Sequence, residues 1–132
     1  MEDIAGRIER EVGSWEGVTM HAHRFGGVEF RYGRREIGHL HGERWADLPF
    51  QKRIRDMLVE TGRAQPHHVL PHTGWVSRQI RGSEDVDEVI ELFRLSYERA
   101  RVAEEVRSAN RSAETLPPES TMPSDGASSP PK

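Results

Sequence analysis

Apolar residues three and four apart at Ile4, Ile8, Val12 and Trp15, with charges between them, predict a first helix over about residues 2–13. The period then drops to two. Val18, Met20 and Ala22 alternate with Thr19, His21 and His23, and Phe25-Gly26-Gly27 reads as the turn closing this strand. Val28, Phe30 and Tyr32 alternate with Glu29 and Arg31 up to Gly33, giving the second strand of a hairpin. A third strand is expected from Arg35 to His41, ending at Gly42. Strict alternation puts Ile37, His39 and His41 on one face and Glu36, Gly38 and Leu40 on the other.

Trp45 to Phe50 is expected to be a connection resting on the core, with Pro49 able to open the next helix. Phe50, Ile54, Met57 and Leu58 form that helix's apolar stripe, and Gly62 stands where a C-terminal cap belongs. An extended segment over 65–72, a turn at Thr73-Gly74 and a strand over 75–81 follow. Ser83 suits an N-cap, Glu84, Asp85 and Asp87 suit a helix start, and Val86, Val89, Ile90, Phe93, Tyr97 and Ala100 keep one face apolar. This third helix is expected to end near 104. The order α-β-β-β-α-β-β-α predicts an α+β domain: a mainly antiparallel sheet of about five strands with helices packed on one face. If Val18, Met20 and Ala22 point to the helices, His21 and His23 point away. The face of His39 and His41 stays open, since Ile37 argues for the covered side and Leu40 for the other.

Composition narrows the function classes. Residues 1–106 suffice for one folded domain, while 107–132, with five of the chain's eight prolines after Glu114, read as a disordered Pro/Ser-rich tail. A net charge of −3 gives no global basic field, so nucleic acid is not the expected partner. The absence of cysteine removes disulfides, thiolate nucleophiles and cysteine-held metals. No basic leader and no apolar run of about 20 residues is present, so the expected location is cytoplasmic and no membrane partner is implied.

Five of the seven histidines fall in Arg35–His41 or Gln65–His72. Imidazole serves proton transfer and metal ligation near neutral pH. A His-x-His pair on a strand projects both rings to one side, and His39, His41 and His68 with Glu36 or Glu43 would suffice for a divalent metal in type and number. Alternation turns Glu36 away from both histidines, and Glu43 lies beyond a glycine, so metal binding is the second chemical reading.

Together, Arg35-Glu36-Ile37-Gly38-His39-Leu40-His41, a helix ending near Gly62, His68, Gly74-Trp75 before a strand, and an acidic-started helix with Tyr97 near its end resemble the luciferase-domain family. That family includes the fungal luciferase, and the resemblance spans about residues 2–103. The fungal member adds O2 to a 3-hydroxy-α-pyrone and is not known to need a flavin, ATP or other organic cofactor. The resemblance implies an O2-dependent oxygenase acting on an enolic, hydroxypyrone-like small molecule, with molecular oxygen as co-substrate. By position it carries over Arg35, Glu36, His39, His41 and His68 as catalytic candidates and Trp75 as a substrate-binding one.

The chemistry of the residues stands beside this. Oxidising an enol with O2 starts from its enolate, and a histidine with a pKa near 6.5 suits the base, either His39 or His41. Arg35 suits the developing negative charge, and Glu36 can orient a histidine. Trp75, Tyr32 and Trp45 are candidate walls for a planar ring. His21, His23, His67 and His72 lie outside the shared pattern and read as structural, and Trp15 and Trp45 read first as core. The alternative function is a non-catalytic ligand-binding or interaction domain with structural histidines.

Overall fold

The computed structural model describes residues 3–23 and 26–114. Phe25, assigned above to a turn, and residues 115–132 of the expected tail lie outside them. The chain divides after Ala100 into two units. The first holds a six-stranded, fully antiparallel sheet in the order β1-β2-β3-β4-β6-β5. The chain's elements are α1 (Ile4–Gly13), β1 (Val18–Ala22), β2 (Val28–Tyr32), β3 (Arg35–His41), β4 (Trp45–Pro49), α2 (Lys52–Glu60), β5 (Gln65–Pro66), β6 (Trp75–Gln79) and α3 (Val86–Glu114). From Arg101 the helical residues form the second unit, where Glu104 pairs with Arg107 and Arg111.

The α+β class is as expected, and the sixth strand is β4. Trp45–Pro49 is not a connection: Ala46 and Leu48 are fully buried toward the helices while Trp45, Asp47 and Pro49 alternate with them. Pro49 ends this strand instead of starting a helix, and α2 begins three residues later. A strand-terminal proline is tolerated because its missing N–H falls where the ladder stops.

Side-chain chemistry sets most of the helix ends. Asp3 caps α1 by accepting from the Gly6 N–H at 2.7 Å. After α2, Gly62 at φ +80° lets the Arg63 N–H reach the Leu58 carbonyl at 2.9 Å and its own N–H reach Val59 at 3.1 Å, the double bond of a Schellman cap. Ser83 is not an N-cap. It opens a short 3₁₀ turn over Ser83–Asp85, and Asp85 ties that turn back to the end of β6, accepting from the Arg81 N–H at 2.8 Å and from the Arg78 guanidinium at 2.9 Å. The third helix runs to Glu114, ten residues past the expected end, so 107–114 are helical. Ala, Glu and Arg dominate this stretch and no proline occurs before 117, so nothing local stops the helix.

One core lies between the helices and one sheet face. Phe30 packs edge-on against Phe93 with centroids 5.1 Å apart, and Tyr32 against Tyr97 at 5.6 Å. Leu58 joins the same cluster, whereas Met57, expected in the stripe, is half exposed. Buried Tyr97 donates to the Glu16 carbonyl at 2.7 Å. Tyr97→Phe should therefore cost about 1 kcal/mol, read from the shift in urea midpoint, by leaving that carbonyl without its donor.

The feature that positions the site is a bulge in β3. Phe30 pairs with Gly38 but Arg31 pairs with Glu36, so Ile37 is an extra residue in the ladder, and Gly38 sits at φ +149°. A bulge breaks the period of two. Ile37 and Leu40 are both buried in the helix-side core, and Gly38 also faces it, since a Cβ there would lie 2.6 Å from Phe93. Glu36, His39 and His41 consequently share the other face. The conflict between Ile37 and Leu40 in the sequence is resolved because both point inward.

Candidate functional site

A polar row crosses the sheet on the face opposite the core. His21 pairs with Glu29, Glu29 with His39, His39 with Asp47, Asp47 with Ser77 and Ser77 with Gln65, one residue from each of the six strands. Its centre is Asp47, with no exposed surface. The Ser77 hydroxyl donates to Asp47 Oδ1 at 2.6 Å. The other oxygen, Oδ2, faces four imidazole Nε2 atoms: His41 at 2.9 Å, His39 at 3.2 Å, His68 at 3.5 Å and His67 at 3.6 Å. His39 and His41 Nε2 are 3.1 Å apart.

Each ring is held by a second contact. Glu36 Oε2 lies 2.6 Å from His39 Nδ1, and because an ionised carboxylate only accepts, Nδ1 carries hydrogen and donates. His67 shows the opposite arrangement. The backbone N–H groups of Val69 and Leu70 both donate to its Nδ1, at 3.1 and 3.0 Å, so its proton sits on Nε2 and points at Asp47. His23 stacks on His39 at 4.2 Å, His67 on His68 at 4.6 Å, and Trp45 on His68 at 6.2 Å. The Trp75 ring stands 5.7 Å from His39 and 5.8 Å from His67.

The electrostatics follow from burial and these partners. For His39, burial works against the charge, but hydrogen bonds to Asp47 and Glu36 outweigh it and push the imidazole up to about 9. For Asp47, burial pushes the carboxyl up, but hydrogen bonds from His39 and Ser77 and the charge of His67 and His39 hold it well below the usual carboxylate range. Burial lowers His67, and the neighbouring histidines add to this against Asp47. His39 is thus a poor candidate for a neutral base.

A pH profile follows. Asp47 contributes stability fully above its ordinary 3.8 and loses it as pH falls through its lower folded value, while His39 contributes fully below 6.5 and loses it as pH rises through about 9. The urea midpoint should fall between pH 6.5 and 9, and Glu36→Gln should flatten that fall by removing one of the two carboxylates that hold the proton. An equal fall in Glu36→Gln would contradict it.

Beside the cluster lies a cavity of about 240 Å³, lined by Arg35, Glu36, Phe50, Trp75, Ser96 and Arg99 among others. Glu36 and Trp75 belong to both cavity and cluster. Burial, and then the positive charge of Arg35, lowers Arg99 from its ordinary value. Among the described residues neither arginine forms an ion pair. Two facing cations without a carboxylate partner favour an anion in that space.

Of the residues expected from sequence, His39, His41, Glu36 and His68 meet at Asp47, and Arg35 and Trp75 at the adjoining cavity. Tyr32 does not belong: its ring lies in the helix-side layer against Tyr97. Glu43, a candidate metal carboxylate, faces Asp3 instead. The separation of Glu36 from the histidines is overturned by the bulge. His23 and His67, read as structural, and Trp45, read as core, touch the cluster, while His21 sits at the end of the row, 2.8 Å from Thr19. Asp47, Ser77 and Arg99 were missed. The signal for Asp47 was present, since alternation in Trp45-Ala46-Asp47-Leu48 reads as a strand once Pro49 is taken as its end.

The model of the family described as Luciferase domain matches residues 34–96. That match, over a little under half of the chain, supports a member of the luciferase-domain family. That span contains every member of the Asp47 cluster and leaves out His21 and His23. Neither the curated proteins nor the solved structures give a match. Among the described residues no helix is long and apolar enough to cross a membrane.

Proposed function

We propose that the protein is a small-molecule oxygenase that adds O2 to an anionic, enolic substrate of the 3-hydroxypyrone type. The observation that carries this reading is the cavity with two unpaired arginines sharing Glu36 and Trp75 with a buried histidine–carboxylate cluster. The family supports the reaction class, and the cavity supports the substrate's charge.

In this reading Arg35 and Arg99 bind the enolate oxygen and lower the enol's pKa by favouring its charged form. Trp75 lies against the ring. Glu36 receives the enol proton, because it is the carboxylate lining the cavity and is already hydrogen-bonded to His39. The enolate carbon then forms a C–O bond to O2. Its electron pair reduces the O–O unit to the peroxide level, and the proton returns to the distal oxygen, so no external reductant is needed. No organic cofactor enters these steps.

The test is oxygen uptake with a panel of 3-hydroxy-α-pyrones. One O2 should be consumed per substrate. Glu36→Gln should lower kcat about a hundredfold, and Arg99→Ala should raise KM about tenfold with the melting curve unchanged. Saturable binding without oxygen uptake would replace this reading with a ligand-binding domain on the same cavity.

A further inference from the structure

We infer that His39 Nε2, His41 Nε2 and Asp47 Oδ2 form a facial triad for one divalent first-row metal ion, Fe(II) being the class the donors suit. The three atoms make a triangle with sides of 2.9, 3.1 and 3.2 Å. Ligands at right angles, each about 2.1 Å from one ion, lie about 3.0 Å apart. The triangle therefore has the dimensions of one face of an octahedron. Two imidazoles and one carboxylate on one face, with the remaining positions open, is the donor set of non-haem Fe(II) oxygenases.

Asp47 Oδ2 has the Nε2 atoms of His41 and His39 within 3.2 Å, while those of His68 and His67 stand back at 3.5 and 3.6 Å. A shared cation would take the lone pairs of the two nearer nitrogens together with this oxygen.

The proton positions decide which histidines are ligands. His39 donates from Nδ1 to Glu36, so a metal entering at Nε2 displaces only the Nε2 proton, and Glu36 is the carboxylate behind the ligating ring that such sites use. His67 cannot serve in the same way. Its Nδ1 accepts from two backbone N–H groups, so its Nε2 holds hydrogen and orients Asp47 from outside. Asp47, His67 and His68 also lie close enough to form a second group, but without His67 only two donors remain there. His68, half exposed, stands in that second group and outside the triad. The set His39, His41 and His68 expected from sequence is thus revised: Asp47 replaces His68.

This inference concerns the same site as the oxygenase reading but does not depend on it. The experiment is anaerobic titration of the untagged full chain, stripped with chelator, by Co(II) as a spectroscopic probe and by Fe(II), without any pyrone. One ion per chain should bind. His41→Ala should weaken it at least a hundredfold, His67→Gln about ten- to a hundredfold as an orienting residue, and His68→Ala less than threefold. Circular dichroism of His41→Ala checks that its fold is retained, which keeps the test open if Asp47→Asn fails to fold. No binding to the wild-type chain, or equal losses in His68→Ala and His41→Ala, would overturn the triad. Ion binding without oxygen uptake leaves the triad standing and removes the oxygenase reading; oxygen uptake by a wild-type chain that binds no ion removes the triad and leaves that reading standing.

Discussion

Gly38→Ala should be strongly damaging, lowering stability by about 4 kcal/mol. Two costs add. At φ +149° an L side chain is strained, and the new Cβ would sit 2.6 Å from Phe93 Cε1, 3.0 Å from the Asp47 carbonyl and 3.2 Å from Leu48 Cγ. Phe93 and Leu48 have no exposed surface and so cannot give way into solvent. For a domain of about a hundred residues such a loss lowers Tm by roughly 20 °C. If the bulge instead straightened to relieve the clash, Glu36 would leave the face of His39 and His41, so His39 would lose its Nδ1 partner even in the folded fraction. A Tm within about 3 °C of wild type would show that the bulge is not fixed by close packing against α3.

The second large effect is expected at Asp47. Its carboxylate is fully buried, accepts from Ser77 and compensates the charge on His39, so Asp47→Asn leaves a buried imidazolium facing a neutral amide. Removing one partner of a buried pair costs about 3–5 kcal/mol. The loss should be smaller at pH 9 than at pH 6, because His39, pushed up to about 9, is by then partly neutral in the wild type. Urea unfolding of both proteins at the two pH values reads this directly. A loss under about 1 kcal/mol at pH 6 would mean that the histidines do not depend on this carboxylate.

Much of the fold was legible because most elements carry their own signal. The apolar face over Val86–Ala100 fixes the start of α3 and the face it buries, and Gly62 marks the Schellman cap of α2. The two hairpin strands follow from alternation alone. What failed did so where two local signals conflicted. Pro49 was weighed against the alternation of Ala46 and Leu48, and tertiary pairing with β6 settled it in favour of a strand. In β3, Ile37 and Leu40 contradicted one another under a strict period of two, and a glycine inside a strand was the visible trace of the bulge that reconciles them.

The sequence by itself therefore determined the α+β class, the positions of the helices and most strands, the absence of thiol chemistry and the concentration of histidines in two segments. Those properties reside in composition and in spacings of two to four residues. Only the tertiary structure decided that Glu36 joins the histidines, that Asp47 is their centre, that His67 carries its proton on the nitrogen facing that carboxylate, and that Arg99 joins Arg35 across the cavity. Each of these depends on which residue stands opposite another across the sheet, or on which backbone N–H a ring nitrogen meets. A single inserted residue in β3 changes those neighbours without altering the composition of the strand, because cross-strand register is set by pairing and packing between segments distant in sequence.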